Sequence, residues 1–287
     1  MQAEPPKKWT IGDLVTWATD DFRGRGIDNP RLDAELLVAH ALHTTRMQLI
    51  IDRDRPVIAG ELAALRELVK RRRAREPVAY LLGEREFYGR RFRVDSRVLI
   101  PRPDTETLVE VALERSRHAS MYARVLDLCT GSGCVAITLA RQRPTTQVTG
   151  ADLSEDALAV ARDNALRLGA YNVAFVKSDL FASVKGPFEL VTANPPYIPT
   201  PEVETLDVDI KAFEPRLALD GGEAGLAIAR RLVAEAPRHL VPGGALAIEI
   251  GAGQADAVRE LFREAGFTDI SAAKDYGGIE RVVSGVR

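Results

Sequence analysis

The sequence predicts an α/β protein in which a small N-terminal helical bundle precedes a mostly parallel seven-stranded sheet with an antiparallel last strand. Three observations carry this expectation. The first 80 or so residues hold helical patterns. Beyond about Thr105, apolar runs of strand length alternate with helical patterns, the grammar of a parallel sheet covered by helices on both faces. The last two strand runs lie too close together for a helical crossover, so they should pair antiparallel.

In the bundle, Thr10 is placed to cap a helix whose apolar face is Ile11, Leu14, Val15, Ala18 and Phe22, ending at the RGRG stop. Residues 29–42 open on Asn29 and Pro30 as cap and first turn, and 58–74 make a longer third helix. REFYGRRFRV and VLIPR then supply short aromatic and β-branched runs around Gly89, consistent with a hairpin. The predicted organisation is a helical substrate-docking domain over 1–83, a β-hairpin linker over 84–104 and a sheet domain over 105–287. In that last domain the strands are expected at ARVLDLC, TQVTGAD, VAFVKSD, FELVTAN, GALAIEIG, TDISAAKD and RVVSGVR. Helices are expected between them, at 133–143, at 154–169 with Ser154 as cap, at 224–240 and at 254–266.

Bulk properties exclude several function classes. No apolar stretch approaches the roughly 20 residues a bilayer span needs, and the start MQAEPPKKWTIGDL lacks a signal peptide's apolar core, so a cytoplasmic protein without a membrane partner is expected. The two cysteines, Cys129 and Cys134, cannot build a disulfide framework or a cysteine-rich zinc site; His40 and His43 lie three apart on a predicted helix without other ligands, and His118 and His239 stand alone, so no metal is expected. A net charge of −2 gives no general grip on nucleic acid. The charge is uneven, with 18 basic against 14 acidic residues over 1–93 and 21 against 27 beyond. Much of the excess lies in 66–93, which is either a solvated helix face or a docking patch for an acidic or RNA-associated partner.

In a parallel sheet, ligands bind beyond the carboxyl ends of the strands where strand order reverses. The first strand runs into DLCTGSGC, whose Cys129, Thr130, Gly131, Ser132 and Gly133 form a tight turn at a helix N-terminus. Asp152 closes the second strand, where a carboxylate can accept both hydroxyls of a ribose. Asp179 and Leu180 follow the third, suited to an adenine amino group and its ring face. The spacing Gly131-x-Gly133-x-x-Ala136 also satisfies a dinucleotide fingerprint. Asp127 before the loop and the antiparallel last strand favour instead a Rossmann-like S-adenosylmethionine (SAM)-dependent methyltransferase domain, whose loop this stretch resembles with Cys129 in place of the first glycine.

The fourth strand ends in NPPY. Asn194 offers an amide oxygen, and the Pro195 carbonyl is free because Pro196 has no N–H to continue the ladder. Two adjacent acceptors can hold both N–H groups of a planar NH2, and Tyr197 offers a ring on which that group can stack. The residues themselves leave open an adenine-N6 or guanine-N2 nucleic-acid methyltransferase, which uses similar loops, and a noncatalytic SAM-binding regulator.

The stretches EFYGRRFRVDSRVLIPRPDTETLVE, DLCTGSGCVAI, SDLF, NPPYI, EPRLALDGGEAGL and RVVSGVR, in this order and over nearly the whole chain, resemble the HemK/PrmC protein-(glutamine-N5) methyltransferases acting on peptide chain release factors. The resemblance implies that SAM is bound around 130–133, Asp152, Leu180 and Asn194. It further implies that the glutamine amide of a Gly-Gly-Gln motif sits against Asn194, Pro195, Pro196 and Tyr197, and that the helical domain helps to engage the release factor. A monomer is expected. PRPDTE has Asp104 where the family usually shows glutamate, and CTGSGC is closer to sister enzymes that methylate a glutamine of a ribosomal protein, so that substrate stays an alternative.

Overall fold

The computed structural model describes residues 8–287; residues 1–7, half of the segment read for a signal peptide, lie outside the described residues. The chain divides after Gly83 into two compact units.

In the first unit, α1 (Ile11–Gly24) opens with a reciprocal cap: the Thr10 hydroxyl accepts from the Asp13 N–H, and the Asp13 carboxylate accepts from the Thr10 N–H. Helix α2 (Pro30–Ala41) begins at proline as expected, yet the Asn29 side chain makes no cap bond. Helices α3 (Arg46–Ile51), α4 (Ala59–Arg73) and α5 (Val78–Leu82) complete the unit. Ile11, Leu14, Ala18, Phe22, Leu37, Leu65 and Val69 form its core, so the expected apolar stripes are the ones buried. Helices α3 and α5 were not anticipated; at six and five residues they are too short to show a helical period.

The second unit opens with a hairpin of β1 (Glu84–Phe87) and β2 (Arg90–Arg93), paired antiparallel. Tyr88 and Gly89, at φ 50° and 69°, make the two-residue turn whose twist matches the strands. Phe87 and Phe92 are fully buried in the core of the sheet unit, so this hairpin packs as part of that unit. VLIPR forms no strand: Val98 and Ile100 are buried in an irregular segment, and the Ile100 N–H is taken by the Glu214 carboxylate instead of a ladder partner. A helix not anticipated, α6 (Glu106–Arg115), follows a 3₁₀ turn at Pro103–Thr105 and buries Leu108, Val109 and Ala112.

Strands β3 (Arg124–Leu128), β4 (Gln147–Asp152), β5 (Val173–Lys177), β6 (Phe188–Ala193), β7 (Leu240–Glu249), β8 (Thr268–Lys274) and β9 (Glu280–Val286) form the sheet in the order β5-β4-β3-β6-β7-β9-β8. The pairs from β5 through β7 are parallel, and β9 is antiparallel to both its neighbours. The covering helices are α7 (Cys134–Gln142), α8 (Glu155–Arg167), α11 (Ala227–Glu235) and α12 (Ala255–Glu264). Two short helices, α9 (Thr200–Val203) and α10 (Val208–Lys211), interrupt the connection after β6. Helix α11 starts three residues later than its apolar pattern, because Gly222, Ala224 and Gly225 hold positive φ and turn the chain first. Chain order reverses between β3 and β6, so the crevice for a ligand opens beyond those two strand ends.

Candidate active site

Three consecutive alternate residues leaving β3, Cys129, Gly131 and Gly133, have φ of 55°, 54° and 80°. The loop therefore needs left-handed backbone at each, and Cys129 occupies a position where glycine is the unstrained choice. A Cβ on Gly133 would lie 2.8 Å from Ile137 Cδ1 and 3.2 Å from Ala161 Cβ, so glycine lets the loop seat against α7 and α8. From below, the buried Asp127 carboxylate accepts from Thr130 Oγ1 at 2.6 Å and from Thr192 Oγ1 at 2.8 Å, tying the loop to β6. Burial pushes the Asp127 pKa up to about 6 against those hydrogen bonds.

Asp152, at the β4 tip, accepts from the Gly131 N–H through Oδ2 and from the Ser154 N–H through Oδ1, both at 2.9 Å. A carboxylate has about four acceptor sites, so Asp152, which lines the cleft, keeps capacity for a ligand. Burial raises the Asp152 pKa although these bonds oppose it. At the β5 tip, Leu180 turns at φ 49° and is buried, its carbonyl accepting from Ser178 Oγ. Asp179 reaches the cleft, but its carboxylate is exposed and paired with Arg231 at 3.0 Å.

One cleft is lined by Cys129, Thr130, Gly131, Ser132, Asp152, Asp179, Leu180, Asn194 and Pro196, which brings together residues from four strand ends. Of the residues expected at the site, Gly133, Pro195 and Tyr197 do not line it: Gly133 supports the loop, Pro195 is buried and Tyr197 sits behind the rim. The loop from 97 to 102 and residues Pro215, Leu217 and Ala218 supply walls that the strand pattern did not foretell. Arg102 pairs with the buried Glu214 at 2.5 Å and joins those two walls. The donor set fits a ligand with an apolar body and hydroxyls: a carboxylate at the rim, apolar walls, and the buried Ser132 Oγ, which has no well-formed hydrogen bond among the described residues. Both thiols beside it are pushed up by burial, Cys134 to about 12, and stay protonated.

At the β6 tip, the Asn194 NH2 donates to Thr105 Oγ1 at 3.2 Å, so its carbonyl oxygen is the end left for a ligand. No described donor bonds that oxygen or the Pro195 carbonyl. Tyr197 is held at both ends: its carbonyl accepts from Gln254 Nε2 at 2.9 Å, and its hydroxyl lies 3.5 Å from Glu249 Oε1. Gln254 is itself fixed by the Gly251 N–H on its Oε1. Burial and the neighbouring Glu249 charge push the Tyr197 pKa up to about 12. Thr105, Glu249 and Gln254 were missed from the sequence. A charged residue closing the otherwise apolar run ALAIEIG was the available signal for Glu249.

The basic segment 66–93 is largely neutralised within the protein. Arg71, Arg72 and Arg73 pair with Glu76, Asp33 and Asp21 in the first unit, and Arg91 and Arg93 pair with Glu84 and Asp163 in the second. Arg66, Lys70 and Arg85 remain exposed. Among the described residues, no helix is long and apolar enough to cross a membrane.

A family model described as the PrmC N-terminal domain matches residues 13–83, and one described as the methyltransferase small domain matches residues 104–212. The chain is similar to the release factor glutamine methyltransferase of Geobacter sulfurreducens, 46% identical over 283 residues that cover 98% of each chain. It is also 41% identical to the one from Chlorobaculum tepidum over 288 residues, 97% of each. A solved methyltransferase from Pyrococcus furiosus superposes with a TM-score of 0.51 over 77% of this chain and 96% of its own, at 19% identity, a likeness of fold alone. Identity of this degree over nearly the full length, on a fold whose strand tips converge on one cleft, shows that the chain belongs to the release factor glutamine methyltransferase family.

Proposed function

We propose that this enzyme transfers a methyl group from S-adenosylmethionine to the side-chain N5 of the glutamine in the Gly-Gly-Gln motif of peptide chain release factors. The observation that carries this reading is the β6 tip. Asn194, which lines the cleft, donates its NH2 to Thr105, and neither its carbonyl oxygen nor that of the adjoining, buried Pro195 has a described donor. Such a pair matches the two N–H groups of a carboxamide and fixes the nitrogen for in-line attack at roughly 3 to 3.5 Å. Pro196 closes the rim, and Tyr197, held at its carbonyl and hydroxyl, is assigned to flank the flat amide.

When bound, the donor would supply a sulfonium methyl, the C–N bond forming as the C–S bond breaks with sulfur keeping the electron pair, and the alkylated nitrogen would release its proton to solvent. The chain's own part is to bind and orient. Asp152 is assigned to the ribose hydroxyls, the 129–133 loop to the amino-acid end of the donor, and Asp179 and Leu180 to its adenine edge and face. Every residue used lies within 84–287 of one chain, so the reading needs no second copy and fits a cytoplasmic monomer that contacts protein, not nucleic acid or membrane.

Incubation with SAM, a release factor and, separately, a ribosomal protein and RNA tests this by mass spectrometry. Methyl on the Gly-Gly-Gln glutamine is expected; methyl on RNA or the ribosomal protein alone would reject it. For Asp152→Ala, calorimetry is expected to show affinity for the cofactor lowered about ten-fold or more, through loss of charge-assisted hydrogen bonds. Unchanged affinity contradicts the ribose assignment.

The first unit is assigned to docking of the protein substrate. Since Arg71, Arg72 and Arg73 are internally paired, Arg66 and Lys70 are the available charges of α4. Reversing both to glutamate is expected to raise KM for the release factor about three- to ten-fold with kcat intact, as for rim charges elsewhere. An unchanged KM returns them to plain solvated surface.

A further inference from the structure

We propose that Glu249 is a positioning residue for methyl transfer, which from behind the β6 tip fixes the face of the Asn194 carboxamide and the Tyr197 hydroxyl against the incoming amide. The proposal rests on the reading of the site given above and goes beyond it by assigning a residue that does not line the cleft.

Glu249 ends β7 as Asn194 follows β6, and the parallel pairing of Ala193 with Ile248 makes these two residues next in register. Glu249 is only 1% exposed. Its Oε1 lies 3.5 Å from the Tyr197 hydroxyl, and its Oε2 has no well-formed hydrogen bond among the described residues. Thr105 and Asn194 lie close enough to favour its charge, although neither bond to it is well formed. The charged groups facing it are Asp104 from the turn before α6 and Arg281 from β9. Arg281 is already engaged by Asp275 at 2.9 Å and Asp104 at 3.4 Å, and the Arg102 charge acts on Tyr197.

A carboxylate only accepts hydrogen bonds. In a low-dielectric interior it repels a carbonyl oxygen and attracts an NH2, so an ionised Glu249 holds the Asn194 NH2 inward, on the Thr105 side, and turns Oδ1 outward. The same charge draws the Tyr197 hydroxyl. An unpaired buried carboxylate is otherwise costly, and a neutral side chain of the same shape would avoid that cost. Once protonated, Glu249 both donates and accepts, and the carboxamide loses its directional bias.

Burial moves the Glu249 pKa from near 4.5 up to about 7, so the switch between these states falls near neutrality. The ionised form is the working one, and turnover should rise as pH climbs through about 7. Stability runs the other way. The folded pKa lies above the ordinary value, so the proton's stabilisation is full below about 4.5 and is lost as pH rises through about 7.

The test is kcat and KM for methylation of a release factor between about pH 5.5 and 9, with thermal unfolding, for the wild type and Glu249→Gln. We expect the variant to bind S-adenosylhomocysteine normally and to melt at pH 8 no lower than the wild type. Its kcat should fall on the order of ten-fold, and the limb near pH 7 should vanish. Thr105→Val is the second variant: losing that hydroxyl should lower kcat and move the limb to higher pH, because Thr105 favours the charged form. Wild-type kcat and an undisplaced limb in either variant overturn the proposal, as does a limb that persists in Glu249→Gln and so belongs to another group such as Asp127. No glutamine methylation by the wild type at any pH removes both this proposal and the function it rests on.

Discussion

Asn194→Ala is expected to slow methyl transfer on the order of 10²-fold or more, about 3 kcal/mol of barrier, while cofactor affinity falls far less. The asymmetry follows from where Asn194 sits. Its NH2 is anchored on Thr105 and its oxygen has no described donor, so in the proposed reading the group removed is an acceptor for the reacting amide, beside a cleft whose other walls stay intact. An acceptor that grips the amide protons gains as positive charge builds on nitrogen, so most of its contribution appears in the transition state. Rapid-quench single turnover with labelled SAM separates the two quantities. Unchanged turnover removes Asn194 from the mechanism, and equal loss in turnover and binding makes it a cofactor ligand.

Gly225→Ala should be nearly as damaging without touching either substrate. Gly225 has φ 68°, and a Cβ built there would lie 2.1 Å from the Tyr197 carbonyl oxygen and 2.7 Å from Gln254 Nε2. The left-handed backbone alone costs an alanine about 1 to 2 kcal/mol. The overlap is with backbone, so the Tyr197 peptide must move and the Gln254 bond to it must break. We expect a loss of at least about 2 kcal/mol in chemical denaturation and transfer reduced on the order of 10²-fold. Near-native turnover would show that the position of Tyr197 matters little.

Much of this was legible beforehand because the signals are local. The seven strand runs and the antiparallel last strand follow from apolar periodicity and from the short gap between TDISAAKD and RVVSGVR. The glycine loop, Asp152 and NPPY could be read because each terminates a strand, and strand ends in a parallel sheet share one rim. What escaped was nonlocal or short. Helix α6 was hidden by the adjoining PRPDTE turn, and α3 and α5 span too few residues for a period. Thr105 reaches Asn194 across 89 positions, and Gln254 reaches Tyr197 across 57, distances over which no spacing rule operates. VLIPR looked like a strand because it is β-branched, but its Ile100 N–H is satisfied by a distant glutamate. Propensity was overridden there by a tertiary hydrogen bond.

The most direct measurement is a crystal structure of the enzyme with S-adenosylhomocysteine and a Gly-Gly-Gln peptide. The account predicts the cofactor ribose on Asp152 and the glutamine NH2 within hydrogen-bonding distance of both Asn194 Oδ1 and the Pro195 carbonyl, its nitrogen facing the sulfur. A glutamine held elsewhere, or a cofactor seated away from the β3 and β4 tips, would contradict it.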